Sequence, residues 1–279
     1  MEGSAGASVI IRVRDEAPRL ERCLELLAGQ RGLGSPVEVI VVDSGSEDGS
    51  AALAERAGAR VVSMPAAAFS FGGALNLGAE QARHEALVSL SAHAFPADDG
   101  WLARLVGALL RDGDRVACAC GDRCGPDGER LDGAIAQDAA LARRRPEWGY
   151  SNAAGAFRAS LWRRRPFRAD LPGCEDKEWA LHWLDEGYRC VIDPSLAINH
   201  DHTHDSVRAI YGRARREAIA YAAFLPVGGP DSGRAPGIGG LAREWWTDTR
   251  WYDSAARARL SHRRATRLLG AHAGRRAGT

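Results

Sequence analysis

Short apolar segments and amphipathic segments alternate over the first hundred residues of the chain. Residues 8–11 and 37–42 are apolar runs, and such runs are typical of buried strands in a parallel sheet. Between them, apolar residues recur at helical spacing from residue 20 to residue 27, and Gly29 is placed to end that helix. The alternation predicts βαβ units, and therefore an α/β fold with right-handed crossovers.

The alternation continues to residue 110 and then becomes looser. The later predicted elements are, in chain order, strands at 60–63, 86–90, 116–120 and 153–157, and helices at 73–82, 98–110, from about 175, and over 205–223. A linker rich in glycine and proline follows at 226–238, and the tail is again helical. We therefore expect a domain over 1–225, with halves of about 1–115 and 116–225, and an extension over 226–279.

Composition limits the classes of protein that fit the chain. Its 279 residues are 45% hydrophobic and 26% charged, which is ordinary for a globular protein. No run approaches the roughly eighteen consecutive apolar residues of a membrane span. Six cysteines without an export signal indicate reduced thiols, and a cytoplasmic location is expected.

Positive charge is concentrated near the C-terminus. Residues 241–279 hold nine arginines against three acidic residues, whereas the body of the chain has an acidic balance. The acidic body argues against nucleic acid as a partner. The basic segment, with Trp245, Trp246 and Trp251, is either a helix face docked on its own domain or a peripheral contact with a membrane surface.

Turns follow three of the predicted strands, at residues 13–16, 43–46 and 91–96. Ligands of parallel sheets bind beyond the carboxyl ends of the strands. The first of these turns lacks the glycine-rich sequence of a dinucleotide site, which argues against a dehydrogenase. Asp43 is placed either to accept hydrogen bonds from a nucleobase or ribose, or to cap the following turn.

Residues 8–11 read SVII, and residues 39–50 read VIVVDSGSEDGS. In this order the two segments resemble family 2 glycosyltransferases with the GT-A fold, which typically read S-V-I-I-P-x-Y-N-E and then I-I-V-V-D-x-G-S-x-D-G-T. Residues 74–78 are similar to A-R-N-x-G, and 88–101 to the acidic metal motif with its following P-x-D-x-W-L. The resemblance covers about residues 8–210.

The most similar subgroup is that of bacterial rhamnosyltransferase-like proteins, because His202-Thr203-His204 precedes a basic helix as their paired histidines do. The resemblance implies a Rossmann-like, mostly parallel sheet flanked by helices, here with a helical C-terminal extension. It also implies a nucleoside diphosphate sugar as donor and a small-molecule or glycan acceptor, with inversion at the anomeric carbon.

Catalysis and donor binding are assigned through the same resemblance. Glu175-Asp176 matches the family's acidic pair, which implies Asp176 as the general base and Glu175 as a group that orients a substrate. Taken alone, the two carboxylates are equally typical of a first helical turn. The residues expected to contact the nucleotide or donor sugar are Val13, Arg14, Glu16, Asp43, Ser44, Asn76 and Asn152.

The metal motif departs from the family pattern. Its D-x-D corresponds to Ser91-Ala92-His93, so we expect His93, with His202 and His204, to hold a divalent metal. Imidazole is a poor ligand for Mg²⁺ and tolerates Mn²⁺, which favours Mn²⁺. The lost aspartates leave open a non-catalytic nucleotide-sugar-binding module of the same fold, and a nucleotidyltransferase is a further alternative.

Overall fold

The structure is a computed structural model, and it describes residues 6–110, 115–200, 206–225 and 254–277. The chain forms two compact units. One comprises Met1–Asp170 and Glu175–Asp201, and the other comprises Leu171–Cys174 and His202–Thr279. The predicted linker, the three C-terminal tryptophans, His202 and His204 lie outside the described residues.

The first unit is built on an eight-stranded sheet. Its strands are β1 (Ala7–Val13), β2 (Glu38–Asp43), β3 (Arg60–Ser63), β4 (Ala86–Ser91), β6 (Val116–Cys120), β7 (Ile135–Gln137), β8 (Ala154–Arg158) and β9 (Arg189–Ile192). Their order is β3-β2-β1-β4-β8-β6-β9-β7, with only β8 and β7 antiparallel to the other strands of this sheet. A separate two-stranded pairing joins β5 (Ala94–Phe95) to β10 (Asn199–His200).

Helices cover both faces of the sheet. They are α1 (Ala17–Ala28), α2 (Ser50–Arg56), α3 (Phe71–Glu80), α4 (Trp101–Leu110), α5 (Ala139–Arg144), α6 (Ala159–Arg164) and α7 (Glu175–Asp185). Buried side chains of α1, α2 and α4 share one apolar cluster, and those of α3, α6 and α7 share the other. The expectation of a mostly parallel sheet flanked by helices is confirmed.

The alternation of β1 explains how the two clusters form. Val9, Ile11 and Val13 belong to the cluster with α1, whereas Ile10 belongs to the cluster with α3. Successive side chains of a strand point to opposite faces, so a central strand needs apolar residues on both. Arg12 follows Ile10 on the same face, and it is the position where this pattern breaks.

The second unit contains two long helices that pack on each other. They are α8 (Val207–Phe224) and α9 (Ser254–Ala277), and the latter confirms the predicted helical character of the tail. Their backbones approach closely: a Cβ atom added at Gly270 would lie 2.4 Å from the carbonyl oxygen of Tyr211, and one at Gly274 would lie 2.4 Å from that of Arg215. Glycine permits this contact because it has no side chain.

Candidate active site

Asp43 is the last residue of β2, and the two oxygens of its carboxylate differ in their hydrogen bonds. Its Oδ2 accepts hydrogen bonds from the backbone N–H groups of Gly45 (3.2 Å) and Ser46 (3.1 Å). Its Oδ1 is buried and accepts no hydrogen bond from the residues that the structure describes. The carboxylate therefore caps the turn and still keeps one acceptor for a ligand, so the two interpretations of Asp43 are compatible.

The ends of β1 and β2 are joined directly. Val13 pairs with Asp43 in the parallel register, and the carbonyl oxygen of Val13 accepts hydrogen bonds from both the backbone N–H and the hydroxyl of Ser44, each at 3.1 Å. The Val13 side chain lies in the apolar core, and Ser44 is also buried. Val13 and Ser44 thus lie buried beneath the turns that follow the two strands.

The turn after β1 contains no glycine, and hydrogen bonds hold its backbone in place. Asp15 has a left-handed backbone (φ 53°), its N–H donates to the Ser46 hydroxyl at 3.0 Å, and its Oδ1 accepts from the N–H of Glu47 at 2.8 Å. These reciprocal bonds tie the first turn to the second and offset the strain of that backbone. Arg14 is exposed at the rim, 3.8 Å from Asp15.

His93 and Glu16 form a close pair beside these turns. The Nδ1 atom of His93 lies 2.7 Å from Oε2 of Glu16, and both side chains are about four-fifths buried. A carboxylate at Nδ1 favours the tautomer whose proton is on that nitrogen, and in that tautomer Nε2 is the acceptor atom of the ring. Glu16 also lies 3.6 Å from Arg19, so its carboxylate is oriented from two sides.

The strand β10, which ends at His200, lies beside the His93 turn. In the antiparallel pairing of β5 and β10, His200 is opposite Ala94, one residue after His93. Over the described ranges, no group of three or more His, Cys, Asp or Glu residues is arranged to hold a metal ion. His202 and His204 lie outside those ranges, so the predicted three-histidine set stays a prediction.

Glu175 is a buried carboxylate with two donors. Its Oε1 accepts from Nη1 of Arg12 at 3.2 Å and from Nδ2 of Asn152 at 3.3 Å, and the Glu175 side chain is 5% exposed. Burial, followed by the adjacent charge of Asp176, raises the pKa of Glu175, whereas Arg12 opposes that rise. Glu175 is therefore fixed in one position by groups from β1 and from the loop before β8.

Asp176 is half-buried in the first turn of α7. Its Oδ2 accepts from the backbone N–H of Asn152 at 3.0 Å, and its Oδ1 accepts from the N–H of Lys177 at 2.8 Å. Both oxygens of the Asp176 carboxylate are therefore held by backbone N–H groups. The two acidic residues therefore differ in environment: Glu175 is buried and paired with an arginine, whereas Asp176 keeps contact with solvent.

Asn152 connects this acidic pair to the sheet. Its carbonyl oxygen accepts from the Ser89 hydroxyl at 2.6 Å, and the carbonyl of the next residue, Ala153, accepts from the N–H of Ser91 at 2.8 Å. The side-chain Oδ1 of Asn152 is buried and has no hydrogen-bond partner among the described residues. Asp176 is therefore held at the carboxyl end of β4, the strand that leads to His93.

Asn76 is engaged by the protein itself. Its Oδ1 accepts from Nε1 of Trp162 (2.9 Å) and the N–H of Phe167 (3.0 Å), and its Nδ2 donates to the carbonyl of Phe167 (2.8 Å). These bonds tie α3 to the segment after α6. Donor binding by Asn76 stays a prediction.

The family follows from comparison with known proteins. The model of glycosyl transferase family 2 matches residues 8–169, which is more than half of the chain. The chain belongs to glycosyl transferase family 2. The matched range includes Asp43, His93 and Asn152 and ends before Glu175 and Asp176. No curated protein matches the chain significantly.

Solved structures share the fold of this family 2 protein. Mannosyltransferase PcManGT from Pyrobaculum calidifontis, in complex with GDP-Man and Mn²⁺, is 19% identical with a TM-score of 0.67, and the match covers 97% of this chain and 85% of that one. Glucosyl-3-phosphoglycerate synthase from Mycobacterium tuberculosis, in complex with UDP, is 21% identical with a TM-score of 0.60, and covers 82% of each chain. TarS 1–349 from S. aureus is 16% identical with a TM-score of 0.57, covering 98% and 90%.

Two contacts of the candidate site were not predicted from the sequence. Arg12, at the position of the proline in the family pattern, pairs with Glu175 across 163 positions of the chain. Lys177 donates from Nζ to the carbonyl of Gly149 at 3.1 Å. A charged residue in an otherwise apolar strand was a signal that Arg12 needs a buried partner, although it could not identify Glu175.

Proposed function

We propose that this family 2 glycosyltransferase moves a sugar from a nucleoside diphosphate donor to an acceptor hydroxyl with inversion, and that Asp176 is the general base. The observation that carries the proposal is the separation of roles within the acidic pair. Glu175 is buried and paired with Arg12, whereas Asp176 is only partly buried and its two oxygens accept backbone N–H groups. A carboxylate that is not paired with a buried cation is the group that can accept a proton from a hydroxyl.

Nucleotide binding is proposed for the edge formed by β1 and β2. The unengaged oxygen of Asp43 can accept a hydrogen bond from a nucleobase or a ribose hydroxyl, and Arg14 adds positive charge at the rim. Two solved structures of the same fold support a nucleotide ligand, because one contains GDP-Man and another contains UDP. The nucleotide would also depend on Val13, Glu16 and Ser44, whose contacts described above hold the turns in place.

A divalent metal is proposed for the side of the site that carries His93. The Nε2 atom of His93, oriented through Glu16, would be one ligand, and His202 or His204 would supply another. When bound, the metal supplies positive charge to the departing diphosphate. Mn²⁺ is preferred over Mg²⁺ because of the imidazole ligand, and Mn²⁺ is present in solved structures of the same fold.

The remaining steps depend on this chain's own residues. Asp176 accepts the proton of the acceptor hydroxyl as that oxygen attacks the anomeric carbon, and a single displacement of this kind inverts its configuration. Asn152 holds Asp176 through its backbone N–H, and its buried Oδ1 is available to a hydroxyl of the donor sugar. The acceptor is proposed to be a small molecule or a glycan. The rhamnosyltransferase-like subgroup stays a prediction.

Membrane contact and location stay predictions. Among the described residues, none of the helices has both the length and the apolar character needed to cross a bilayer. Residues 254–277 carry seven arginines and no acidic residue, which supports a peripheral contact with an anionic membrane surface. Sedimentation with anionic and with neutral vesicles tests this contact, and equal binding to both would contradict it.

The function is tested by Asp176→Asn in a transfer assay. The assay uses UDP-, GDP- and dTDP-sugars with Mn²⁺ and follows donor consumption and the anomeric configuration of the product. We expect the rate to fall by about 10²- to 10⁴-fold because the general base is lost, with UDP or GDP affinity unchanged by calorimetry. Asp185→Asn, at the exposed end of α7, is the matched control. Full activity of Asp176→Asn would remove this residue from the mechanism.

If the wild type consumes no donor but binds nucleotide, the chain is a binding module instead of an enzyme. The family assignment already favours transfer of a sugar over transfer of a nucleotide, which was the remaining alternative. A product that retains the donor's anomeric configuration would contradict the single displacement.

A further inference from the structure

Arg12 is a charged residue inside a central strand. It lies near the carboxyl end of β1, between β2 and β4, opposite Val42 on one side and Ser91 on the other. Its side chain is only 15% exposed. A buried guanidinium is costly unless it is paired and hydrogen-bonded, so its partners have to account for its presence.

Three contacts fix the Arg12 side chain. Nη1 donates to Oε1 of Glu175 and to the carbonyl oxygen of Phe71, each at 3.2 Å, and the guanidinium carbon lies 5.3 Å from the centroid of the Phe71 ring. These contacts come from the start of α7 and the start of α3. Because the planar guanidinium is held from both helices, it offers a fixed position to the Glu175 carboxylate.

The groups that face Glu175 come from three segments. They are Arg12 from β1, Asn152 from the loop before β8, and Asp176 beside it on α7. Asn152 also donates its backbone N–H to Asp176. A displacement of Glu175 would therefore move the first turn of α7 and, through Asn152, the carboxylate of Asp176.

We propose that Arg12 is a positioning residue for the general base: its buried ion pair with Glu175 anchors the first turn of α7 to β1 and so fixes the direction of the Asp176 carboxylate. The inference rests on the proposed function of Asp176. It concerns a feature of this particular chain, because Arg12 stands where the family pattern has a proline, which could not form the pair. Misplacement of a catalytic group by about 1 Å costs about 10²-fold in rate.

Steady-state kinetics of Arg12→Met and Arg12→Lys test the proposal. We expect kcat of Arg12→Met to fall by about 10- to 100-fold, while UDP or GDP affinity stays within about two-fold of the wild type. Arg12→Lys should recover part of kcat, since an ammonium can still pair with Glu175. Arg22→Met, which removes an exposed pair with Glu25 on α1, is the matched control.

A second measurement tests the pair without any assay of activity. Urea unfolding of the wild type, Arg12→Met, Glu175→Gln and the double variant gives the coupling between the two side chains. We expect the coupling to be at least about three-fold in the unfolding equilibrium constant. No coupling would overturn the inference even if kcat falls, because the loss of activity would then have another cause.

The outcomes separate the inference from the proposed function. If the wild type is active and Arg12→Met has the same kcat, or loses nucleotide affinity in parallel with kcat, the positioning role is wrong and the proposed function stands. If the wild type transfers no sugar from any donor, the proposed function fails, and the role of Arg12 in positioning a base fails with it, whatever the coupling.

Discussion

Asp176 and Asn152, 24 positions apart in the chain, are joined by a hydrogen bond of 3.0 Å from the backbone N–H of Asn152 to Oδ2 of Asp176. The carbonyl of the same asparagine is bound by Ser89 of β4. The proposed base is thus oriented by the sheet through one peptide segment. A base held by backbone groups loses little freedom when the acceptor binds, which favours a rigid geometry for proton transfer.

Asp43→Asn should weaken nucleotide binding without disturbing the turn. The amide oxygen can still accept from Gly45 and Ser46, whereas the amide nitrogen replaces the unengaged oxygen and cannot accept a hydrogen bond. We expect the affinity for UDP or GDP to fall by about 10- to 100-fold, as for the loss of a hydrogen bond to a charged group.

Calorimetric titration measures that change, and Asp122→Asn is a control with the same chemistry. The Asp122 carboxylate accepts from the N–H of Cys124 at 3.0 Å in an exposed loop, so its substitution alters a similar turn away from the site. An unchanged affinity in Asp43→Asn would assign Asp43 to the turn alone.

Glu16→Gln should weaken Mn²⁺ binding. The substitution keeps the size of the side chain but removes the charge that orients His93. Loss of such an outer partner of a histidine ligand typically costs about 10- to 100-fold in metal affinity. The concentration of free Mn²⁺, followed by electron paramagnetic resonance, gives the affinity independently of activity.

Glu25→Gln on α1, which loses only an exposed pair with Arg22, should bind Mn²⁺ as the wild type does. If the wild type itself binds no Mn²⁺, or if EDTA-treated enzyme keeps its full activity, His93 and Glu16 form a structural pair and the metal proposal is wrong.

Glu175→Gln should change the dependence of stability on pH. The pKa of Glu175 is raised from 4.5 in the folded protein, chiefly by burial, so the folded state binds more protons than the unfolded state from pH 4.5 up through the native pKa. This carboxyl therefore makes a contribution to stability that decreases as pH rises through that window. Glutamine does not titrate, so the variant lacks this pH-dependent contribution to stability.

The free energy of unfolding of Glu175→Gln, relative to that of the wild type, should accordingly increase as pH rises from 4.5 through the native pKa of Glu175. Arg12 loses its partner in the variant, and because a guanidinium does not titrate in this range, that loss shifts the difference by a constant. Urea unfolding at several pH values measures the difference, with Glu25→Gln, at an exposed position, as the matched control. A difference that decreases with pH would contradict the raised pKa.

Two glycines of helices should respond oppositely to alanine. A Cβ atom at Gly78 of α3 would lie 2.4 Å from Cγ2 of Ile10, whereas one at Gly107 of α4 would meet no atom within 4 Å. We expect Gly78→Ala to destabilise the protein by about 1–3 kcal/mol through overpacking. Gly107→Ala should stabilise it by about 0.5–1 kcal/mol because alanine loses less entropy in a helix.

Chemical or thermal unfolding of the two variants measures both effects. Since α3 rests on β1 and β2 through Gly78, a neutral Gly78→Ala would mean that α3 can shift away from the sheet. In that case the activity of the variant should fall even though its stability does not.

Much of the first half of the fold could be predicted from the sequence because β1, β2 and β4 are apolar runs that differ clearly from the helices between them. Predicted strands at 8–11 and 86–90 correspond to Ala7–Val13 and Ala86–Ser91. The direction of β8 could not be predicted, since it depends on packing between β4 and β6. The helices α5 and α6, each of six residues, are too short to show a periodicity.

The candidate site also has a part that could be predicted from the sequence and a part that could not. Asp43 and His93 follow recognisable strands, so their place at one edge could be inferred from strand order alone. The pairing of Arg12 with Glu175, and of Asn152 with Asp176, joins segments that are distant in the chain. Such pairs depend on how helices dock on the sheet, which local patterns do not encode.

Lys177 is the only lysine of the chain, and it adjoins Asp176. Its amine is held by the carbonyl of Gly149, in the segment that leads to Asn152. An amine-selective reagent therefore has one side-chain target in the whole protein, next to the residue proposed to remove the acceptor's proton. A fluorophore or an isotope-labelled methyl group attached there would report on that turn of helix as substrates arrive, without any engineered cysteine.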